Sequence, residues 1–162
     1  MIAAMDVLWN PPMAEAWARF HRQNGGALQQ SWAYGEALRS LGVEVVRVAA
    51  LEQGQWRACA QWIARRWLGY LSLASCARGP VFAPEADTPW RRDFLRLVRR
   101  DIPIRPLRVP LFSPNQAAAD FDPQQVQGMH KVMTGYSTVM VDLRQPAEVL
   151  RAGLDGKWRN RL

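Results

Sequence analysis

Residues 136–162 read YSTVMVDLRQPAEVLRAGLDGKWRNRL, and the interpretation of the whole chain depends on this segment. Apolar and polar residues alternate at its start, which is typical of a half-buried strand. The positions that share one strand face are Val139, Val141 and Leu143. Pro146 then favours the first turn of a helix. The apolar positions at helical spacing after it are Val149, Leu150 and Leu154. The sequence therefore predicts a strand followed by a short amphipathic helix.

The segment ends on the basic run KWRNRL, residues 157–162, without a glycine or proline that would terminate a helix. Natural domains rarely stop at an uncapped, half-formed turn. We therefore expect the chain to be the front half of a longer protein. We also expect Trp158 to be covered by a missing C-terminal domain or by self-association.

Three short motifs occur in order along the chain: LQQSWAYGEA at residues 28–37, RGPV at residues 78–81 and the terminal KWRNRL. Together they resemble the Gln-Ser-Trp-type opening helix, the Arg-Gly-Pro loop and the inter-domain basic motif of the FemAB group of aminoacyl and acyl transferases. Those enzymes pair two acetyltransferase-like (GNAT) domains. The resemblance implies that residues 1–162 form a single GNAT-like α+β domain, the N-terminal half of a two-domain protein. Its sheet would be mixed, mostly antiparallel and flanked by helices.

The resemblance also implies a function. The full enzyme would move an activated acyl group from aminoacyl-tRNA or acyl-coenzyme A onto an amine, and this domain would hold the acceptor. In the best-known members that acceptor is a phosphate-bearing peptidoglycan precursor. Active acetyltransferases bind the pyrophosphate of coenzyme A with a glycine-bearing loop, and the sequence does not contain that loop. We therefore expect no cofactor on this chain and little activity from the chain alone. The catalytic residues stay unidentified, and no metal site is expected.

Substrate-binding residues carried over from the motifs are Arg78, Lys157, Arg159, Asn160 and Arg161. Arg78 would be a cation lining the pocket, or a loop arginine that caps a carbonyl. The other four would contact phosphate or tRNA, or would complement charge at a helix end or a domain interface. Leu38 stands where family members often carry a lysine, which leaves the identity of the acceptor open.

The composition favours a folded domain, because 49% of the 162 residues are hydrophobic. The formal charge is +7, carried by 19 arginines and two lysines. This bias reflects either an arginine-rich codon composition or an anionic partner such as a nucleotide or RNA. No apolar run is long enough to span a membrane and no export signal is visible, so we expect a cytoplasmic protein. Cys59 and Cys76 are expected to be buried small hydrophobes.

Local signals place the main elements. A first helix is expected after the cap Asn10, and a second between Ser31 and Gly42. A hairpin reverses at Gln53-Gly54, and a third helix starts at Thr88-Pro89. A further strand is expected at residues 104–109, on a sheet edge because of its internal proline. In the second hairpin strand, the residues expected on the core face are Trp56, Ala58, Ala60, Trp62 and Ala64. Those expected on a partly solvated face are Arg57, Gln61 and Arg65.

Two other functions remain open. The chain could be a non-catalytic α+β binding module that a partner or self-association completes. It could also bind RNA through the arginines at residues 91–100, although such a stripe is more typical of a solvated helix face. Asp142 is interpreted as a turn acceptor rather than a catalytic base.

Overall fold

The computed structural model describes residues 5–67, 69–105, 107–115, 126–132 and 141–159, except for the side chains of residues 158 and 159. The strands are β1 (Met5–Trp9), β2 (Glu44–Glu52), β3 (Gln55–Trp67), β4 (Leu71–Ala77), β5 (Val81–Phe82) and β6 (Leu107–Ser113). The helices are α1 (Ala14–Gln23), α2 (Trp32–Ser40), α3 (Thr88–Asp101), α4 (Ala147–Ala152) and α5 (Gly156–Arg159), with a 3₁₀ turn at Leu28–Gln30.

The described strands form one mixed sheet in the order β1-β2-β3-β4-β6, with β5 paired to β3. The pairs β1/β2, β2/β3, β3/β4 and β3/β5 are antiparallel, whereas β6 runs parallel to β4 after the crossover through α3. Two helices therefore lead into an antiparallel meander, and a third returns the chain to its edge. This arrangement confirms the α+β class that the sequence predicted, a mixed and mostly antiparallel sheet flanked by helices.

Capping residues account for both ends of α2 and for the start of α3. The Ser31 hydroxyl accepts from the backbone N–H of Tyr34 at the start of α2. Gly42, at φ +77°, ends that helix in the left-handed conformation. At α3 the Asp87 carboxylate accepts from the N–H of Trp90, and Pro89 lies in the first turn.

The β2–β3 hairpin turns at Gln53 and Gly54, which both have positive φ as a tight primed turn requires. Beside this turn the register shifts, so that Ala50 pairs with Ala58 but Leu51 pairs with Trp56. One residue of β3 is bulged out there, and the side-chain alternation changes phase. As a result Trp56 packs with Trp17 and Phe20, on the face opposite Ala58. The prediction that Trp56 shares the face of Ala58 was therefore wrong.

Helices cover both faces of the sheet. On one face α3 packs against a continuous apolar core that includes Val48, Ala60, Trp62, Phe94, Leu95, Val98 and Ile104. On the other face α1, α2 and the 3₁₀ turn cover a smaller cluster around Trp17, Phe20 and Cys59. The prediction that this second face would be partly wet is wrong at Gln61, which is buried because the 3₁₀ turn lies over it.

Several elements differ from the prediction. Asn10 does not cap α1; it extends the β1–β2 pairing, exchanging hydrogen bonds with the backbone of Arg47. The edge strand lies at Leu107–Ser113 rather than at residues 104–109. Strands β1 and β5 were not predicted. Residues 133–140, which carry the first half of the expected strand, lie outside the described part. The described Val141 and Leu143 are exposed and in no strand.

Candidate functional site

A layer of buried polar side chains lies between the sheet and α2, and Arg47 is its centre. The Arg47 side chain is fully buried, and its guanidinium donates to Gln61 Oε1 at 2.9 Å, Glu36 Oε1 at 2.6 Å and the Trp32 carbonyl at 2.9 Å. The guanidinium carbon also lies 3.6 Å from the centre of the Trp32 ring. Hydrogen bonds and cation–π contact together compensate a cation that has lost its water.

The electrostatics of this layer follow from that burial. Desolvation lowers the pKa of the Arg47 guanidinium, while its hydrogen bond to Glu36 opposes the shift. The same hydrogen bond from Arg47 is the main cause that lowers the pKa of the Glu36 carboxyl, so Glu36 stays ionised. The carboxylate also pairs with Arg39 at 3.1 Å on the outer side. Glu36 thus links a buried and an exposed arginine.

The side-chain amide of Gln30 takes the place of a missing strand. The last β3–β4 pair is Ile63 with Ser75, and β5 resumes pairing with β3 only at Cys59. In the gap the Gln30 amide accepts from the N–H of Gln61 at 2.8 Å and donates to its carbonyl at 3.3 Å. Gln30 also donates to the Ala77 carbonyl at 2.8 Å. A side chain therefore satisfies backbone groups that would otherwise be buried without partners.

Two glycines allow these close contacts. A Cβ atom on Gly35 of α2 would collide with Gln61 Oε1 and with Arg47 Nη2. A Cβ atom on Gly79 would lie 2.5 Å from Cδ of Gln30. The helix and the loop at residues 78–80 can approach the polar layer only because neither position carries a side chain.

Arg78 stands at the point where β4 leaves the sheet. Its backbone is left-handed, at φ +51°, which is unfavourable for a residue with a Cβ atom. Its guanidinium donates to Asn115 Oδ1 at 3.1 Å. It lines a small pocket of about 70 Å³ together with Pro80, Phe82, Asn115 and the turn at residues 24–27. Ligand sites typically enclose several hundred Å³, so this pocket holds at most one small group of a substrate.

The structure brings two of the three motifs together. The Gln-Ser-Trp motif supplies Gln30, which contacts Gly79 of the Arg-Gly-Pro motif, and Trp32, which stacks on Arg47. The sequence motif contains Gln30 and Trp32 but indicates no role for either residue, and Arg47 was not predicted as part of a site. One signal was available: Arg47 and Gln61 are polar residues in strands rich in valine and alanine, and they lie directly opposite each other.

The basic motif at the end of the chain is placed only in part. Lys157 and Arg159 belong to α5, and the Lys157 N–H donates to Asp155 Oδ1. Asn160 and Arg161 lie outside the described residues, so their expected roles stay predictions. Asp142 is a turn acceptor as interpreted, because its carboxylate accepts from the N–H and the side chain of Arg144.

The arginines of α3 are engaged with the protein itself. Arg96 pairs with Asp93 at 2.7 Å, Arg100 pairs with Asp101 at 2.7 Å, and Arg99 donates to the Gly128 carbonyl. The Arg91 guanidinium lies 5.0 Å from the centre of the Phe82 ring. This pattern favours a solvated helix face over an RNA-binding surface.

The two cysteines are buried, as predicted, and burial raises the pKa of both thiols. Cys76 Sγ accepts from Gln30 Nε2 at 3.6 Å. No group of three or more histidine, cysteine or acidic residues that could hold a metal exists among the described residues. Within the same part of the chain, no helix has both the length and the apolarity needed to cross a membrane.

The chain is similar to solved structures that include the crystal structure of a probable acetyltransferase. It is 12% identical, and the alignment covers 85% of this chain and 99% of that one at a TM-score of 0.46. No family model and no curated protein matches the chain.

Proposed function

We propose that this chain is the acceptor-side domain of a FemAB-like transferase that moves an activated acyl group onto an amine. The observation that carries the proposal is the contact between the Gln-Ser-Trp and Arg-Gly-Pro motifs. Gln30 bridges β3 and β4 and packs on Gly79, and this fixes the backbone from which Arg78 projects. Gln30 thus supports, from 48 positions away, the loop whose Arg78 and Pro80 line the small pocket; Gln30 itself does not line it.

In the proposed reaction the amine nitrogen of the acceptor attacks the activated carbonyl carbon and forms a C–N bond. The bond from that carbon to the tRNA ester oxygen, or to the thioester sulfur, breaks, and the amine proton leaves with the departing group. Such transfer needs orientation and stabilisation of the oxyanion more than a strong base. Arg78 would bind an anionic group of the acceptor, a phosphoryl group in our expectation. Lys157, Arg159, Asn160 and Arg161 would contact tRNA or phosphate, as the resemblance implies.

We place the reaction in the cytoplasm, with a peptidoglycan precursor as the first acceptor to try. The test supplies the protein, together with the expected second domain, with an acceptor amine and either aminoacyl-tRNA or acyl-coenzyme A. Transfer of a labelled acyl group should follow with one donor class. Absence of transfer from every donor, with binding of the acceptor retained, would favour a non-catalytic binding module instead.

Arg78→Gly separates a binding role from a structural one. Glycine adopts the left-handed backbone without strain, so the free energy of unfolding should stay equal or rise by up to about 1 kcal/mol. The value of kcat/KM for the acceptor should fall at least about tenfold, since a charge-assisted contact is lost. The control is Arg96→Gln, which removes an arginine charge that is not part of the pocket lining and should leave transfer unchanged. Glycine is avoided at this position because it would destabilise α3. A destabilised Arg78→Gly variant with normal transfer would show that Arg78 merely braces Asn115.

A further inference from the structure

The end of the β3–β4 hairpin carries a surface that none of the described helices covers. The strand register places side chains of β3, β4 and β6 in two adjacent rows on the sheet face that α1 and α2 cover elsewhere. The outer row is Trp67, Leu71 and Leu107. The inner row is Arg65, Leu73 and Val109. We call these six residues, with Tyr70 at the turn, the hairpin surface.

Most residues of the hairpin surface are exposed, and Leu71 of the outer row is partly buried. Leu73 and Val109 of the inner row are 43% and 41% exposed. Leu107 and Trp67 of the outer row are 59% and 66% exposed, and Tyr70 at the turn is 59% exposed. Large apolar side chains in contiguous exposed positions mark an interaction surface rather than a random distribution.

The charge beside the hairpin surface is positive. Arg65 lies in the inner row, and Arg105 precedes Leu107 by two residues. Both are exposed, and neither has an ion-pair partner among the residues that the structure describes. The chain as a whole carries a formal charge of +7. A second copy of the chain would bring the same positive charge to the contact, so self-association is electrostatically unfavourable.

From these observations we infer that the hairpin surface docks on an anionic lipid bilayer. Tryptophan and tyrosine favour the boundary between headgroups and acyl chains, because each combines an apolar ring with a polar atom. Arginine beside them extends its charged end to lipid phosphates while its stem stays among apolar groups. Apolar burial and electrostatic attraction then act together, as in other proteins that bind the membrane surface without crossing it.

The test measures partition of the full chain onto vesicles by co-sedimentation at low salt. Vesicles of phosphatidylcholine with about a third phosphatidylglycerol should bind it at least about tenfold more tightly than phosphatidylcholine alone, and added salt should weaken binding. Trp67→Ser should weaken partition on the order of tenfold by removing apolar area. Arg65→Gln should weaken it about fivefold, the typical effect of one basic residue near an anionic surface.

Matched controls share the exposure or charge of the altered residue but lie elsewhere. Leu28→Ser removes an equally exposed apolar side chain from the 3₁₀ turn, and Arg96→Gln removes one positive charge from α3. Both should bind anionic vesicles within about twofold of the parent chain. All variants should unfold at the temperature of the parent, because each altered side chain is largely exposed. Vesicles with brominated acyl chains should quench the parent's tryptophan fluorescence, and Trp67→Phe should lose most of that quenching.

Three results would overturn the inference. The first is no partition onto anionic vesicles at saturating lipid by a folded chain. The second is equal weakening by Trp67→Ser and Leu28→Ser, which would indicate adsorption without a defined surface. The third is a chain that does not bind vesicles but forms a dimer in analytical ultracentrifugation, and whose dimer Trp67→Ser dissociates. That last outcome would assign the hairpin surface to a second copy. None of these measurements involves an acyl donor, so they stand apart from the proposed transferase activity.

Discussion

The two faces of the sheet are buried by different chemistry. On the α3 face the side chains are apolar, and Trp62, Phe94 and Leu95 are fully buried against one another and their neighbours. On the α1/α2 face the buried polar side chains of Arg47 and Gln61 hydrogen-bond to each other and to backbone carbonyls. Burial of the apolar face stabilises the fold because apolar area is removed from water. Burial of the polar face stabilises it only if every buried polar group keeps its hydrogen-bond partner.

This difference separates stability from positioning. Apolar contacts stabilise the packing of α3 on the sheet without requiring particular bond angles, because the hydrophobic effect is non-directional. Hydrogen bonds from Gln30, Arg47 and Gln61 have required distances and angles, so they fix the places of α2 and of the loop that carries Arg78. The candidate site lies on the face whose geometry is specified most closely.

The largest expected effect belongs to the apolar face. Phe94→Ala should lower the free energy of unfolding by about 3–5 kcal/mol, since it removes a fully buried ring that contacts Phe82 and Trp90. Denaturant unfolding followed by circular dichroism measures the change. Arg96→Ala on the exposed side of the same helix should change it by less than about 0.5 kcal/mol. Similar losses for both variants would contradict the packing of α3 on the sheet.

Arg47→Met should have the next largest effect and lower the free energy of unfolding by about 2–4 kcal/mol. Methionine keeps much of the volume, but Gln61 Oε1 and the Trp32 carbonyl lose their donor inside the protein. Arg39→Met removes the other partner of Glu36 at a partly exposed position and should lose at most about 1 kcal/mol. If chemical denaturation ranked the two variants equally, the buried layer would not be the constraint we describe.

Gly79→Ala should cost about 1–3 kcal/mol because the new methyl group displaces the Gln30 amide. Gly153→Ala is the matched control, since a Cβ atom there meets backbone atoms only at ordinary contact distance. A double-mutant cycle sharpens the prediction: Gly79→Ala should cost much less in a Gln30→Ala background. Additive effects in that cycle would show that Gln30 does not hold the loop.

The smallest expected effect concerns pH. The pKa of Glu36 is lowered in the folded state by its hydrogen bond from Arg47, so the stabilisation is present above the unfolded pKa of about 4.3. It should be lost as the pH falls below that value and the carboxylate is protonated. As the pH is lowered from 7 to 3, the unfolding temperature should therefore fall less steeply for Glu36→Gln than for the parent. Asp101 and Asp142, whose pKa values are also lowered by arginines, stay unchanged in both proteins and cancel from the comparison.

Local signals in the sequence predicted the elements whose ends depend on nearby residues. The caps at Ser31 and the turn at Gln53-Gly54 involve contacts within a few positions, and both are confirmed. The bulge that turns Trp56 to the other face was not visible, because alternation alone does not reveal an inserted residue. Strand β5, only two residues long, has no periodic pattern to detect.

The buried polar layer was the harder part to predict. Whether Arg47 and Gln61 face water depends on where α2 and the 3₁₀ turn pack, and that is set by contacts between distant parts of the chain. Gln30 and Gln61 are 31 positions apart and Gln30 and Ala77 are 47 apart. Gln30 lies in a motif that the sequence analysis quoted, but its role required coordinates.

The Gln30 amide has a consequence for how this domain can change over evolutionary time. A loop held by a main-chain ladder moves only if the ladder is rebuilt. Here a single side chain supports the loop, so a substitution at position 30 would change the support of Arg78 without removing any hydrogen bond between strands.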